Sequence, residues 1–107
     1  MTNNFVLVGR IVTIGEMKDG NKGKYCRVTV AVSRPYKDEN GIYDTDYIKV
    51  TLRKELARKV TDWCQKGDLI GIRGTMECLS NHKLKLVADK VSFLATKQTT
   101  NEIKESE

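Results

Sequence analysis

A chain of 107 residues, 39% apolar and 31% charged, has room for one small domain and lacks the long apolar run of a membrane span. Its 19 Lys and Arg against 14 Asp and Glu give a net charge of +5, which favours a polyanionic partner without specifying one. So short a domain leaves much of its surface exposed, so a tightly closed core or a partner subunit is expected.

Cys26, Cys64 and Cys78 are far apart, form no C-x-x-C pair and have only His82 to join them. That is too sparse for a zinc site, and the odd number argues against a disulfide framework, so the chain reads as cytoplasmic, with no metal and no cofactor. The start MTNNFVLVGR has neither the basic nor the sustained apolar region of a signal peptide.

Phe5 to Val12 is β-branched and apolar and leads into the turn-rich stretch Gly15 to Gly23, which contains Asp19-Gly20. This predicts a first strand and a glycine-rich hairpin connection. From Tyr25 to Ser33, the residues Cys26, Val28, Val30 and Val32 alternate with Tyr25, Arg27, Thr29 and Ala31, the period of a half-buried strand. Arg34-Pro35 is expected to close it, and residues 36–46, with Asn40-Gly41, to form a polar loop or second hairpin. The third strand, Tyr47 to Arg53, sends Ile48, Val50 and Leu52 to one face and Tyr47, Lys49, Thr51 and Arg53 to the other.

Residues 54–65 place Leu56, Val60 and Trp63 at helical spacing, with Gly67 where a C-terminal cap belongs. Trp63 shares the apolar stripe, so it is expected to pack on the core, as are Phe5 and Phe93 in the terminal strands. Leu69 to Leu79 is a long strand that bends at Gly71 and Gly74. Residues 80–83 turn the chain, and Leu84 to Leu94 is a fifth strand with a slip of alternation near Asp89-Lys90. Residues 1–95 are thus read as one domain and 96–107 as a polar tail. Three strands, a helix and two strands fit an all-β, five-stranded OB barrel with its helix between the third and fourth strands. Another small β-barrel or an α+β sandwich would produce the same one-dimensional pattern.

The lone histidine falls in a turn with no nucleophile or acid implied beside it, so no catalytic residues are assigned. The acidic residues Asp38, Glu39, Asp44 and Asp46 belong to a polar loop, where such residues are common. Binding of single-stranded nucleic acid needs cations for phosphates and flat rings for bases on one exposed surface. Tyr47, Lys49, Thr51 and Arg53 share such a face with Tyr25 and Arg27, and Arg34, Tyr36 and Lys37 stand at the mouth of the loop between the two strands. The same tyrosines would also suit a covered sheet surface or a subunit contact.

The segments FVLVGR at Phe5–Arg10, VAVSRPY at Val30–Tyr36, DYI at Asp46–Ile48, RKELA at Arg53–Ala57 and KGDLIGIRG at Lys66–Gly74 come in the order and spacing of the bacterial single-stranded DNA-binding proteins. The resemblance runs over residues 4–95. It implies an OB fold, usually a homotetramer, that binds single-stranded DNA with little sequence preference in replication, recombination and repair. It also implies that Tyr36 and Tyr47 are stacking positions. Arg10, Arg27, Arg34, Lys49, Arg53 and Arg73 are the candidate phosphate contacts, and Tyr25 is a third candidate platform.

Three features depart from the family pattern. Arg53 stands where the family typically has an aromatic, and the hairpin at residues 80–83 is short where the family carries a long DNA-wrapping loop. The tail at residues 97–107 has neither the glycine- and glutamine-rich linker nor the acidic Pro-Phe tip, so recruitment of repair or replication proteins through such a tip is not expected. The alternative suggested by these departures is a dimeric adaptor of the primosomal type, acting mainly through protein contacts. In either case the expected setting is a bacterial or phage-encoded cytoplasmic protein.

Overall fold

The computed structural model describes residues 1–96. Its elements are β1 (Phe5–Ile14), β2 (Lys18–Gly20), β3 (Gly23–Lys37), β4 (Tyr43–Arg53), α1 (Lys54–Trp63), β5 (Leu69–Cys78) and β6 (Leu84–Ala95). The expected tail lies almost wholly outside the described residues.

The strands form one sheet in the order β1-β5-β6-β4-β3-β2, and a further β1–β3 pairing closes five of them into a ring. Closure removes the open edges that five short strands would otherwise expose. β1 makes this possible by serving two neighbours: Phe5 to Arg10 pair with Gly74 to Leu69 of β5, and Arg10 to Ile14 pair with Ala31 to Val28 of β3. At the handover stands Gly9, where any Cβ would collide with the Ala31 carbonyl oxygen. The β4–β6 contact is a single parallel pair, Thr51 with Val87. This is the OB barrel, with α1 between β4 and β5.

Alternation in β3 and β4 fills the barrel. Cys26, Val28 and Val30 face Leu52, Val50 and Ile48 in register, and together with Ile11, Ile70, Ile72, Ala57 and Val60 they make a continuous core. Each fully buried Val, Leu or Ile contributes roughly 1.5–3 kcal/mol relative to exposure. The helix α1 caps this core through Ala57 and Val60, packing on β3, β4 and β6.

Several expectations are corrected. The connection after β1 contains a short strand, β2, paired with β3 through Lys18 with Tyr25 and Gly20 with Gly23. Arg34-Pro35 does not end the strand: β3 runs on to Lys37, and β4 begins at Tyr43 rather than Tyr47. Proline, having no N–H, is accommodated because the register slips there, from Ser33 opposite Thr45 to Lys37 opposite Tyr43. The loop left over is tight, with the Asp38 carboxylate accepting the N–H groups of Asn40 and Ile42 at 2.8 and 2.9 Å.

Gly67 is not the helix cap. α1 ends at Trp63 with an extended Cys64, and Gly67, at φ 94°, turns the next loop back so that its N–H donates to the Ile11 carbonyl at 2.8 Å. Asp68 holds that loop by accepting the Gln65 N–H at 2.8 Å.

Trp63 does not pack into the core; it is 80% exposed. It is the last helical residue, and the buried side of the helix is carried by Ala57 and Val60. Phe93, 48% exposed, lies opposite Ile70 and lines a shallow groove with Trp63, Leu56 and Val91. Phe5, by contrast, is core. The slip expected in the last strand is present: Arg73 pairs with Lys90 and Gly74 with Ala88, leaving Asp89 as the extra residue.

Candidate nucleic-acid interface

On the outside of β3 and β4 the cross-strand pairs are Tyr25 with Arg53, Arg27 with Thr51, Thr29 with Lys49 and Ala31 with Tyr47. Because side chains alternate between the faces of a strand, the residues that bury Val28, Val30, Val50 and Leu52 turn these pairs to the opposite face, but Thr51, expected to be open there, is covered at 3% exposure where β4 meets β6. Tyr47 is 67% exposed, and Arg27 and Lys49 are exposed beside it. The expected face therefore exists, with an aromatic toward one end and cations along it.

Tyr36 is 62% exposed and stands in the irregular stretch of β3, near the β3–β4 turn. Tyr43, not singled out from the sequence, is 53% exposed and carries the Lys37 ammonium 5.6 Å from its ring centre, a cation–π distance. Its place two alternations before Tyr47 would have marked it had the strand been started at Tyr43. Tyr25 is half-buried, with the Arg27 guanidinium 5.9 Å from its ring and Gly20 of β2 lying against the ring edge. It is a wall more than an open platform.

Two of the expected phosphate contacts already hold carboxylates. Arg34 donates two hydrogen bonds to Asp46, at 3.1 and 3.0 Å, with Asp44 at 3.8 Å. The hydrogen bonds and charge of Asp46 hold the Arg34 guanidinium above its usual range, and Arg34 in turn lowers the Asp46 carboxyl. Arg53 faces both oxygens of Glu77 at 3.4 Å. Glu77 is depressed chiefly by that bonding, with help from the charges of Arg53, Lys22 and Lys85.

Arg53, Glu77, Tyr25, Arg27 and Thr51 line a cleft of about 310 Å³, completed by Lys22 of the β2–β3 hairpin and by Lys85 of β6. Lys22, Glu77 and Lys85 were not singled out from the sequence; the alternation of β5 and β6 carries the only signal for the latter two.

The last two candidates sit elsewhere on the barrel. Arg10 is in row with Ala31, whose other neighbour is Tyr47, but its guanidinium donates to the Gly67 carbonyl at 3.0 Å. Arg73 is exposed on β5 between Val6 and Lys90, four residues before Glu77 on the same strand, and does not line the cleft. Among the described residues no three His, Cys, Asp or Glu side chains gather as metal ligands, and no helix is long and apolar enough to cross a membrane.

Compared with known proteins, residues 2–94 match the model of the single-strand binding protein family. The chain belongs to that family. Within it, the chain is 30% identical over 106 residues to single-stranded DNA-binding protein B of Bacillus subtilis, covering 91% of this chain and 94% of that one. It is 35% identical over 81 residues to the single-stranded DNA-binding protein of Streptococcus pneumoniae, covering 75% of this chain and 52% of that one. The chain thus spans about half the length of that longer relative.

The crystal structure of the small single-stranded DNA-binding protein from Streptomyces coelicolor superposes with a TM-score of 0.71 at 19% identity, covering 88% and 95% of the two chains. The mitochondrial single-stranded DNA-binding protein Rim1 of S. cerevisiae gives 0.74 at 21% identity, covering 90% and 98%. Both share the barrel of this family member.

Proposed function

We propose that this chain binds single-stranded DNA, without catalysis and largely without regard to sequence, in replication, recombination or repair. The observation that carries the proposal is the outer β3–β4 face, where exposed Tyr47, Arg27 and Lys49 stand on a closed barrel of the single-strand binding family. Rings on such a face stack bases while cations track the phosphates, and neither contact reads a base edge. Tyr36 and Tyr47 are the principal platforms. Arg27 and Lys49 are the principal phosphate contacts, with Arg53 and Arg34 partly compensated and Arg10 and Arg73 extending the basic path around the barrel. The working form is a homo-oligomer, a tetramer by family resemblance, acting in the cytoplasm.

Replacing Tyr36 and Tyr47 together by Ala is expected to weaken oligonucleotide binding by several kcal/mol, at about 1–3 kcal/mol per stacked base. Fluorescence titration with circular dichroism as a check on folding tests it, and a folded double variant with unchanged affinity contradicts the site.

A further inference from the structure

The cleft beside Arg53 contains a feature that phosphate binding does not require. Among the described side chains lining it, Glu77 alone is acidic, and it stands among four cations, Lys22, Arg27, Arg53 and Lys85. For a groove that only grips phosphate, this carboxylate is counterproductive, since it compensates Arg53 and repels the backbone. As a hydrogen-bond acceptor it makes sense. Its oxygens lie 3.4 Å from the Arg53 nitrogens, longer than the roughly 2.7–2.9 Å of a tight charge-assisted bond. An ionised carboxylate has about four acceptor sites and no donor, so capacity remains for a ligand. The Arg53 hydrogen bonds, with the charges of Arg53, Lys22 and Lys85, hold its carboxyl below the usual range.

The cleft's size and walls suit one base. Its volume of about 310 Å³ is at the lower end of the roughly 300–1,000 Å³ typical of small-ligand sites. Tyr25 and the Arg53 guanidinium, cross-strand neighbours, supply flat surfaces, and Thr51 is buried between them and β6. Lys22 and Lys85 also line the cleft and supply the cations that the phosphates of an inserted nucleotide need.

We propose that this cleft takes one nucleobase of the bound strand and favours a base with an exocyclic amino group, cytosine over thymine, with Glu77 as the specificity-determining acceptor. The inference rests on the single-stranded DNA reading above. Cytosine offers the N4 amino donor that carboxylates accept in base recognition, whereas thymine offers the O4 acceptor at the same position. Thymine therefore brings a carbonyl against a carboxylate. The two pyrimidines are alike in ring size but differ also at N3, a donor in thymine and an acceptor in cytosine, and in the thymine methyl, so the change of their affinity ratio on substituting Glu77, and not the ratio itself, reports the exchange.

The test is anisotropy titration of the full chain with labelled oligo-dC and oligo-dT of equal length, for the wild type and for Glu77→Met, which keeps the stem and removes the acceptor. Freeing Arg53 alters affinity for both oligonucleotides, so the quantity read is their ratio. The preference for oligo-dC relative to oligo-dT is expected to fall by about three- to tenfold in the variant, as for loss of one base-edge hydrogen bond. Should Glu77→Met fail to fold, Glu77→Gln keeps an acceptor for cytosine but adds an amide N–H that can donate to thymine O4, so the same ratio is again expected to fall. An unchanged ratio in a folded variant overturns the subsite and leaves the single-stranded DNA reading standing. A wild type that binds neither oligonucleotide overturns both.

Discussion

Arg34 and Lys49 are both exposed cations near the same stretch of β3–β4, yet their surroundings differ in a way that binding should register. Arg34 is bidentate to Asp46, so a phosphate must compete with a carboxylate already in place. Lys49, opposite Thr29, has a neutral cross-strand neighbour. Lys49→Ala should therefore reduce the slope of log affinity against log salt by about 0.7, the value for one phosphate on a single strand. Arg34→Ala should change it by less, and titrations across a salt series check both. The same ion pairs bear on acid stability. The carboxyls of Asp46 and Glu77 lie below their ordinary values in the folded chain, so the unfolded chain takes up their protons first as pH falls. Their contribution is complete above the ordinary carboxylate range near pH 4 and is lost as pH drops through the depressed values. Melting temperature should thus decline below about pH 4 less steeply in Asp46→Asn than in the wild type. The effect is small because the Arg34–Asp46 pair is solvent-exposed.

Each element owes its shape to a few residues. Gly74 is where β5 passes the bulge in β6, and a Cβ there would run into the Val87 carbonyl and the Phe5 ring. Gly71, three residues earlier on the same strand, leaves a Cβ at ordinary contact distance, with Leu94 Cδ1 nearest at 3.7 Å. Gly74→Ala should therefore lower stability by about 1–3 kcal/mol through overpacking, and Gly71→Ala by much less, as denaturant unfolding of the pair would show. Much of this was legible from alternation alone. The inward Cys26, Val28 and Val30, the outward Tyr47 and Lys49, and the slip at Asp89 all follow from a period of two and its interruption. Alternation failed where tertiary contact decides. The polar run Asp44-Thr45-Asp46 hid the start of β4 because Arg34, twelve residues away, is what pairs with Asp46. Trp63 fits the helical stripe, but periodicity does not say which of its members the barrel covers, and Ala57 and Val60 are the ones buried. Glu77 on β5 meets Arg53 on β4 across the intervening β6, between strands that share no pairing of their own.

Closure of the ring gives the molecule a rigid outer surface, since the residues that seal the core also set the phase of the binding face. Truncating Leu52, which is fully buried, to Ala should cost about 2–5 kcal/mol, measurable as a lowered denaturant midpoint. Binding should be lost only as the fold is lost, because Leu52 lies on the inner face and touches no ligand. A basic charge of +5 would by itself bind any polyanion, whereas rings stack bases that a duplex keeps paired. The decisive measurement is titration of the protein with a labelled oligo-dT and with a duplex of equal length, each at low and moderate salt. Tight binding to the single strand, with exclusion of the duplex and residual affinity that survives added salt, is the predicted result. Weak binding that treats both ligands alike and vanishes with salt would reduce the β3–β4 face to a charged surface and contradict the account.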